Sequence, residues 1–169
     1  MDYLNQDDPV LRRSATKRAY AVDELLKRAL QRSHSFRMQF DAARLCRVVG
    51  AETLRKLMPK FAPDESKPAG RLYDIYADVL DPSKIEILRQ LLTLAPPSLY
   101  AERPLNYIKS TRFLDRENAT VLRGGDHNNF ILFALPPDAR EALLNSYRSE
   151  GIPETVIEQV DVDVGGLEP

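Results

Sequence analysis

The sequence predicts an α+β fold: a helical N-terminal half of about four to five helices, followed by a small, mostly antiparallel sheet with one packed helix. Three observations predict it. Apolar residues recur at helical spacing through the first half. The longest unbroken apolar run, Phe130 to Leu135, follows a turn-rich hexapeptide, Gly124-Gly125-Asp126-His127-Asn128-Asn129. Near the end, Val160, Val162 and Val164 alternate with Asp161 and Asp163, the period of a strand buried on one face.

Asp8-Pro9 opens the first predicted helix, because Asp is a good N-cap and Pro suits the first helical position. Leu11, Ala15, Val22, Leu25, Leu26 and Ala29 share one face as far as about Arg32. Arg12 and Arg13 are cationic in its first turn, where the helix dipole disfavours them, and Lys17 follows on the face opposite the apolar one. They read as a solvated face or as a contact for an acidic partner. Phe36, Met38 and Phe40 lead into a second helix from Asp41, with Leu45, Cys46, Val49 and Leu57 on its apolar side. Arg44, Arg47 and Arg55, with Lys56 beside them, form the clearest basic stripe. Gly50 either lies within this helix at a cost of about 1 kcal/mol or ends it. In the second case LCRVVG-AETLRKLM resembles a helix-turn-helix, although its second segment is short and Leu54 and Leu57 depart from the usual spacing.

A polar stretch with two prolines and a glycine follows. Leu72, Ile75, Tyr76, Val79 and Leu80 mark a short helix, and Asp81-Pro82 starts another carrying Ile85, Leu88, Leu91 and Leu92. From Ser98 the pattern is weakly β or irregular. A hairpin over Thr120 to Leu135 comes next, with Phe130 to Leu135 as the central strand of the sheet. Pro136-Pro137 then starts a helix that Gly151 ends. The domain organisation read from this is 1–61 as a basic helical region, 62–70 as a loop or linker, 71–97 as a helical hairpin and 98–169 as a small α+β region. One compact domain embracing all four is the alternative.

Composition excludes several classes. The 169 residues are 43% hydrophobic and 29% charged, as in a soluble domain. No apolar run is long enough for a membrane span, so no membrane insertion is expected. The N-terminus lacks the apolar stretch of a secretory signal, and a cytoplasmic location is expected. The single Cys46 excludes an internal disulfide, and with two histidines a Cys-rich zinc site is excluded as well. No metal and no cofactor is expected. Net charge is −1 but segregated: thirteen Lys/Arg face four acids between Pro9 and Lys60, whereas the last twenty-one residues hold six acids and no base.

The residues support three readings of function. The first is a non-enzymatic protein-interaction or assembly subunit, with a protein partner or a homo-oligomer, suggested by the charge segregation and the lack of a catalytic constellation. The second is a nucleic-acid-binding protein using Arg44, Arg47, Arg55 and Lys56, supported by Arg12, Arg13 and Lys17. The third is a small enzyme centred on Asp126-His127, with His127 as general base. Asp161 and Asp163 face water or the basic stripe. Ser110-Thr111-Arg112 and Arg123, on neighbouring segments, form a weak anion-binding signal.

Overall fold

Strands come from every part of this chain. A computed structural model describes residues 1–62, 73–93, 104–125 and 130–161. The elements run β1 (Asp2–Leu4), α1 (Pro9–Arg13), α2 (Ala15–Arg32), β2 (Ser35–Phe40), α3 (Ala42–Val49), α4 (Ala51–Leu57), β3 (Asp74–Val79) and α5 (Pro82–Leu92). Then come β4 (Ile108–Leu114), β5 (Thr120–Gly125), β6 (Phe130–Phe133), α6 (Pro137–Ser149) and β7 (Ile157–Gln159). The described strands form one seven-stranded sheet in the order β3-β2-β4-β5-β6-β1-β7. Every neighbouring pair is antiparallel.

This corrects the expected fold class. The α+β mixture stands, but the sheet is large and spans the chain, where a small C-terminal sheet after a helical half was predicted. Ser35–Phe40 is a strand because Phe36, Met38 and Phe40 alternate with Ser35, Arg37 and Gln39, a period of two that no helix face satisfies. The short helix expected over Leu72 to Leu80 is strand β3 instead, so only the second arm of the predicted hairpin over 71–97, α5, is helical. Its alternation was hidden because Asp78 points to the core side, where it meets a buried lysine. The first predicted helix is two. Ser14 takes an extended conformation and its Oγ accepts from the Lys17 amide at 3.2 Å, capping α2 and ending α1.

The predicted N-caps form as expected. Asp8 Oδ1 accepts from the Val10 amide at 2.8 Å, and Asp81 Oδ1 from the Lys84 amide at 2.9 Å. Gly50 separates α3 from α4 with φ 86° and ψ 149°, a region that belongs to glycine. A Cβ built there would meet nothing within 4 Å, so Gly50→Ala carries backbone strain alone. It should lower stability by about 1–3 kcal/mol in a urea titration, with helix content retained.

The helices share one side of the sheet. Phe36, Met38 and Phe40 of β2, Phe113 of β4, Leu122 of β5 and Phe133 of β6 form one core with Leu25, Leu26 and Leu30 of α2, Leu88 and Leu91 of α5, and Leu143 and Tyr147 of α6. Each large side chain buried there contributes roughly 1.5–3 kcal/mol. Tyr147 donates its hydroxyl to the Ala21 carbonyl at 2.7 Å, so the buried phenol is satisfied and joins α6 to α2. The opposite, outer face carries the side chains of the other parity. Ile75, Val79 and Phe130 remain 51%, 50% and 42% exposed there, and no described helix packs over them.

Candidate anion-binding face

Strand register on the outer face assembles residues that are far apart in sequence. Directly opposite partners link Ala77 to Arg37, Arg37 to Arg112, Arg112 to Arg123, Arg123 to Leu132, Leu132 to Tyr3 and Tyr3 to Glu158. These seven residues make one row across all seven strands. Three consecutive members are arginines. With strands about 4.8 Å apart, the backbones at Arg37 and Arg123 lie about 10 Å from each other.

Like charges directly opposite on a sheet are destabilising, by roughly 0.2–1 kcal/mol per pair. Several cations elsewhere are neutralised: Arg28 pairs with Glu24, Arg32 with Asp138, Arg89 with Asp23 and Arg140 with Asp2. Among the described residues, no acid lies within ion-pair distance of Arg37, Arg112 or Arg123. Arg112 is held in place by its Nε, which donates to Thr120 Oγ1 at 2.8 Å. Ser110 Oγ donates to Gln39 Oε1 at 3.4 Å beside it. The three guanidiniums, Gln39, Ser110 and Ile75 line a shallow depression of about 50 Å³. At the other side of the row Tyr3 and Phe130 pack with ring centroids 5.3 Å apart and planes at 33°. Leu132, between Tyr3 and Arg123 in the row, is 2% exposed.

The residues singled out from sequence are placed differently. Arg12 and Arg13 are exposed on α1. Lys17 Nζ donates to the Gly151 carbonyl at 2.9 Å, joining α2 to the end of α6. Arg44 pairs with the cap of its own helix, Asp41, at 3.4 Å, and Lys56 with Glu52 at 2.9 Å. Arg47 and Arg55 are exposed, but the break at Gly50 puts them on two short helices, so the stripe is not one continuous helix face. Cys46 is a free thiol, partly buried against the core. The last described strand is Ile157–Gln159, ahead of the valine alternation. Asp161 is exposed and makes no ion pair among the described residues, while Val162, Asp163 and Val164 lie outside them, as do Asp126 and His127.

Sequence reasoning missed Arg37. The signal was present, since the FRMQF alternation that makes β2 also turns Arg37 and Gln39 outward. It did flag Arg112 and Arg123 together, and the structure sets them directly opposite.

A second charged cluster lies on the other side of the sheet. Lys84 is 8% exposed, and its Nζ donates to Asp78 Oδ2 at 2.9 Å and to the Val79 carbonyl at 3.0 Å. Tyr76 donates its hydroxyl to the same Asp78 oxygen at 2.8 Å. The bond from Lys84 holds the Asp78 carboxyl down at about 2, and burial, then the bond to Asp78, push the Tyr76 phenol up to about 12. Its donors and acceptors are mutually satisfied, and it locks the end of β3 to the start of α5.

No family model, no curated protein and no solved structure matches this chain. Among the described residues there is no group of three His, Cys, Asp or Glu placed to hold a metal ion. No described helix is long and apolar enough to cross a membrane.

Proposed function

We propose that this chain is a non-enzymatic interaction module that docks a partner bearing closely spaced negative charges on the outer face of its sheet. The observation that carries the reading is the register Arg37–Arg112–Arg123 with no described acid beside it. Three aligned guanidiniums repel one another in the free protein, and an anionic partner relieves that repulsion while gaining bidentate hydrogen bonds. Ile75, Val79 and Phe130 add exposed apolar area around the charges, as at interfaces where Arg and aromatic residues anchor binding. The helical stripe of Arg44, Arg47, Arg55 and Lys56 is the less favoured surface, because two of its cations already have acidic partners.

The test is a fluorescence titration of the full chain against poly-glutamate, heparin and short oligonucleotides at low salt. Binding of at least one polyanion is expected, with loss of at least tenfold in affinity in the Arg37→Gln/Arg112→Gln/Arg123→Gln variant and unchanged thermal stability or a slight gain. Neutralising Arg44, Arg47, Arg55 and Lys56 should change affinity less. Failure of every polyanion to bind, or equal binding by the triple variant, removes the reading.

A further inference from the structure

We propose that the polyanion taken by this face is a single-stranded nucleic acid, its backbone on Arg37, Arg112 and Arg123 and a base stacked on Phe130. This rests on the reading above that the outer face is the binding surface. Phe130 sits two residues along β6 from Leu132, which is the residue opposite Arg123. That makes Phe130 and Arg123 diagonal neighbours, about 7–8 Å apart, within reach of both side chains and of the span between a nucleotide's base and its own phosphate. The residue directly opposite Phe130 is Gly125, which has no side chain to cover the ring from the β5 side. On the remaining side Tyr3 supports it.

An aromatic face beside a row of arginines suits a nucleotide better than an acidic peptide. The ring face is electron-rich and repels a carboxylate, whereas every base has a π-face that stacks on it. The planar guanidinium grips phosphate bidentately and itself stacks on bases. Ser110 and Gln39 lie among the arginines with hydrogen-bonding atoms for base edges or ribose hydroxyls. The row ends in acid: Glu158 is opposite Tyr3 and accepts from Asn5 Nδ2. That carboxylate repels phosphate, so the backbone is confined to the β2–β4–β5 half and bases are directed toward β6. A duplex keeps its bases paired and stacked, so it lacks the free π-face that Phe130 would engage.

Fluorescence anisotropy with oligo(dT), oligo(U), an abasic oligonucleotide with the same number of phosphates, a duplex and poly-glutamate of matched charge decides this. The single strands should bind more tightly than the abasic strand, the duplex or poly-glutamate. Three neutralised phosphates give a slope of about −2 in log affinity against log salt, or about 20-fold weaker binding between about 50 and about 200 mM. Phe130→Ala should cost about 5- to 100-fold on oligo(dT) and nothing on the abasic strand, with Phe130→Tyr restoring affinity. The ring is 42% exposed, so these variants should fold normally, which circular dichroism checks. Tightest binding of poly-glutamate would overturn the nucleic-acid assignment and leave the anion-docking face standing, with an acidic protein as partner. Equal binding of the abasic strand, or indifference to Phe130→Ala, overturns the stacking site alone. No binding by any probe overturns both inferences.

Discussion

Asp78→Ala should destabilise the fold by about 3–5 kcal/mol, measured as a lowered midpoint in urea at neutral pH. The cause is not the lost attraction in itself. Lys84 is 8% exposed, and removing Asp78 leaves its ammonium with the Val79 carbonyl at 3.0 Å and the more distant Asp81 carboxylate at 3.7 Å. It also removes the acceptor to which the Tyr76 hydroxyl now donates. A charge kept in a low-dielectric site without its main partner costs more than the pair contributed. A double variant, Asp78→Ala with Lys84→Met, should recover much of the loss, because an apolar chain of similar length needs no counter-ion.

The same cluster sets a pH signature. Asp78 titrates at about 2 in the fold and near 3.9 when unfolded, so the unfolded chain binds the proton first as acid is added. Its contribution is therefore complete above about pH 4 and is lost as pH falls toward 2. Tyr76 is shifted upward, to about 12, so its contribution is complete below about pH 10 and is lost as pH rises toward 12. Stability measured across both windows in Asp78→Asn should lose the acid step.

Leu4→Ala should cost about 2–5 kcal/mol in the same titration, out of proportion to a position so near the chain end. Leu4 is fully buried, in strand β1, which lies between β6 and β7. β7 has no other described neighbour in the sheet, so whatever loosens β1 releases β7 as well. Asp2 adds an ion pair to Arg140 of α6 at 2.8 Å, and the Met1 and Val160 backbones exchange hydrogen bonds at 3.2 and 3.0 Å. Amide exchange should report the consequence directly: protection at Glu158 and Val160, the amides that face β1, falls in Leu4→Ala before protection in β2 or β4 changes. If β7 keeps its protection while global stability drops, its place at the sheet edge does not depend on β1 as described.

Local chemistry made some elements readable. Asp8 and Asp81 announce their helices because a short carboxylate before a proline satisfies free amides with residues adjacent in sequence. The hairpin of β5 and β6 was readable because an apolar run after a glycine-rich turn pairs with its immediate neighbour. The α2 stripe of Val22, Leu25, Leu26 and Ala29 is buried as its spacing predicts. By contrast, Asp23 stands four residues before Lys27 on α2, the spacing of a helical ion pair, yet it reaches Arg89 on α5, and Glu24 takes both Lys27 and Arg28. Spacing shows which side chains can meet within a helix but not which competitor another helix brings.

By itself, then, the amino-acid order marked where α1 and α5 begin, at Asp8 and Asp81, and which face of α2 is apolar. Those properties depend on residues within a few positions, where backbone geometry sets the distances. Only the tertiary structure decided that Leu4 is a core residue, that Ser35–Phe40 and Asp74–Val79 are strands of the same sheet, and that Arg37 completes the row. Strand order is chosen by pairing between segments more than a hundred residues apart, such as β1 with β6 and β7. The shared core that selects it carries no periodicity a single segment can display.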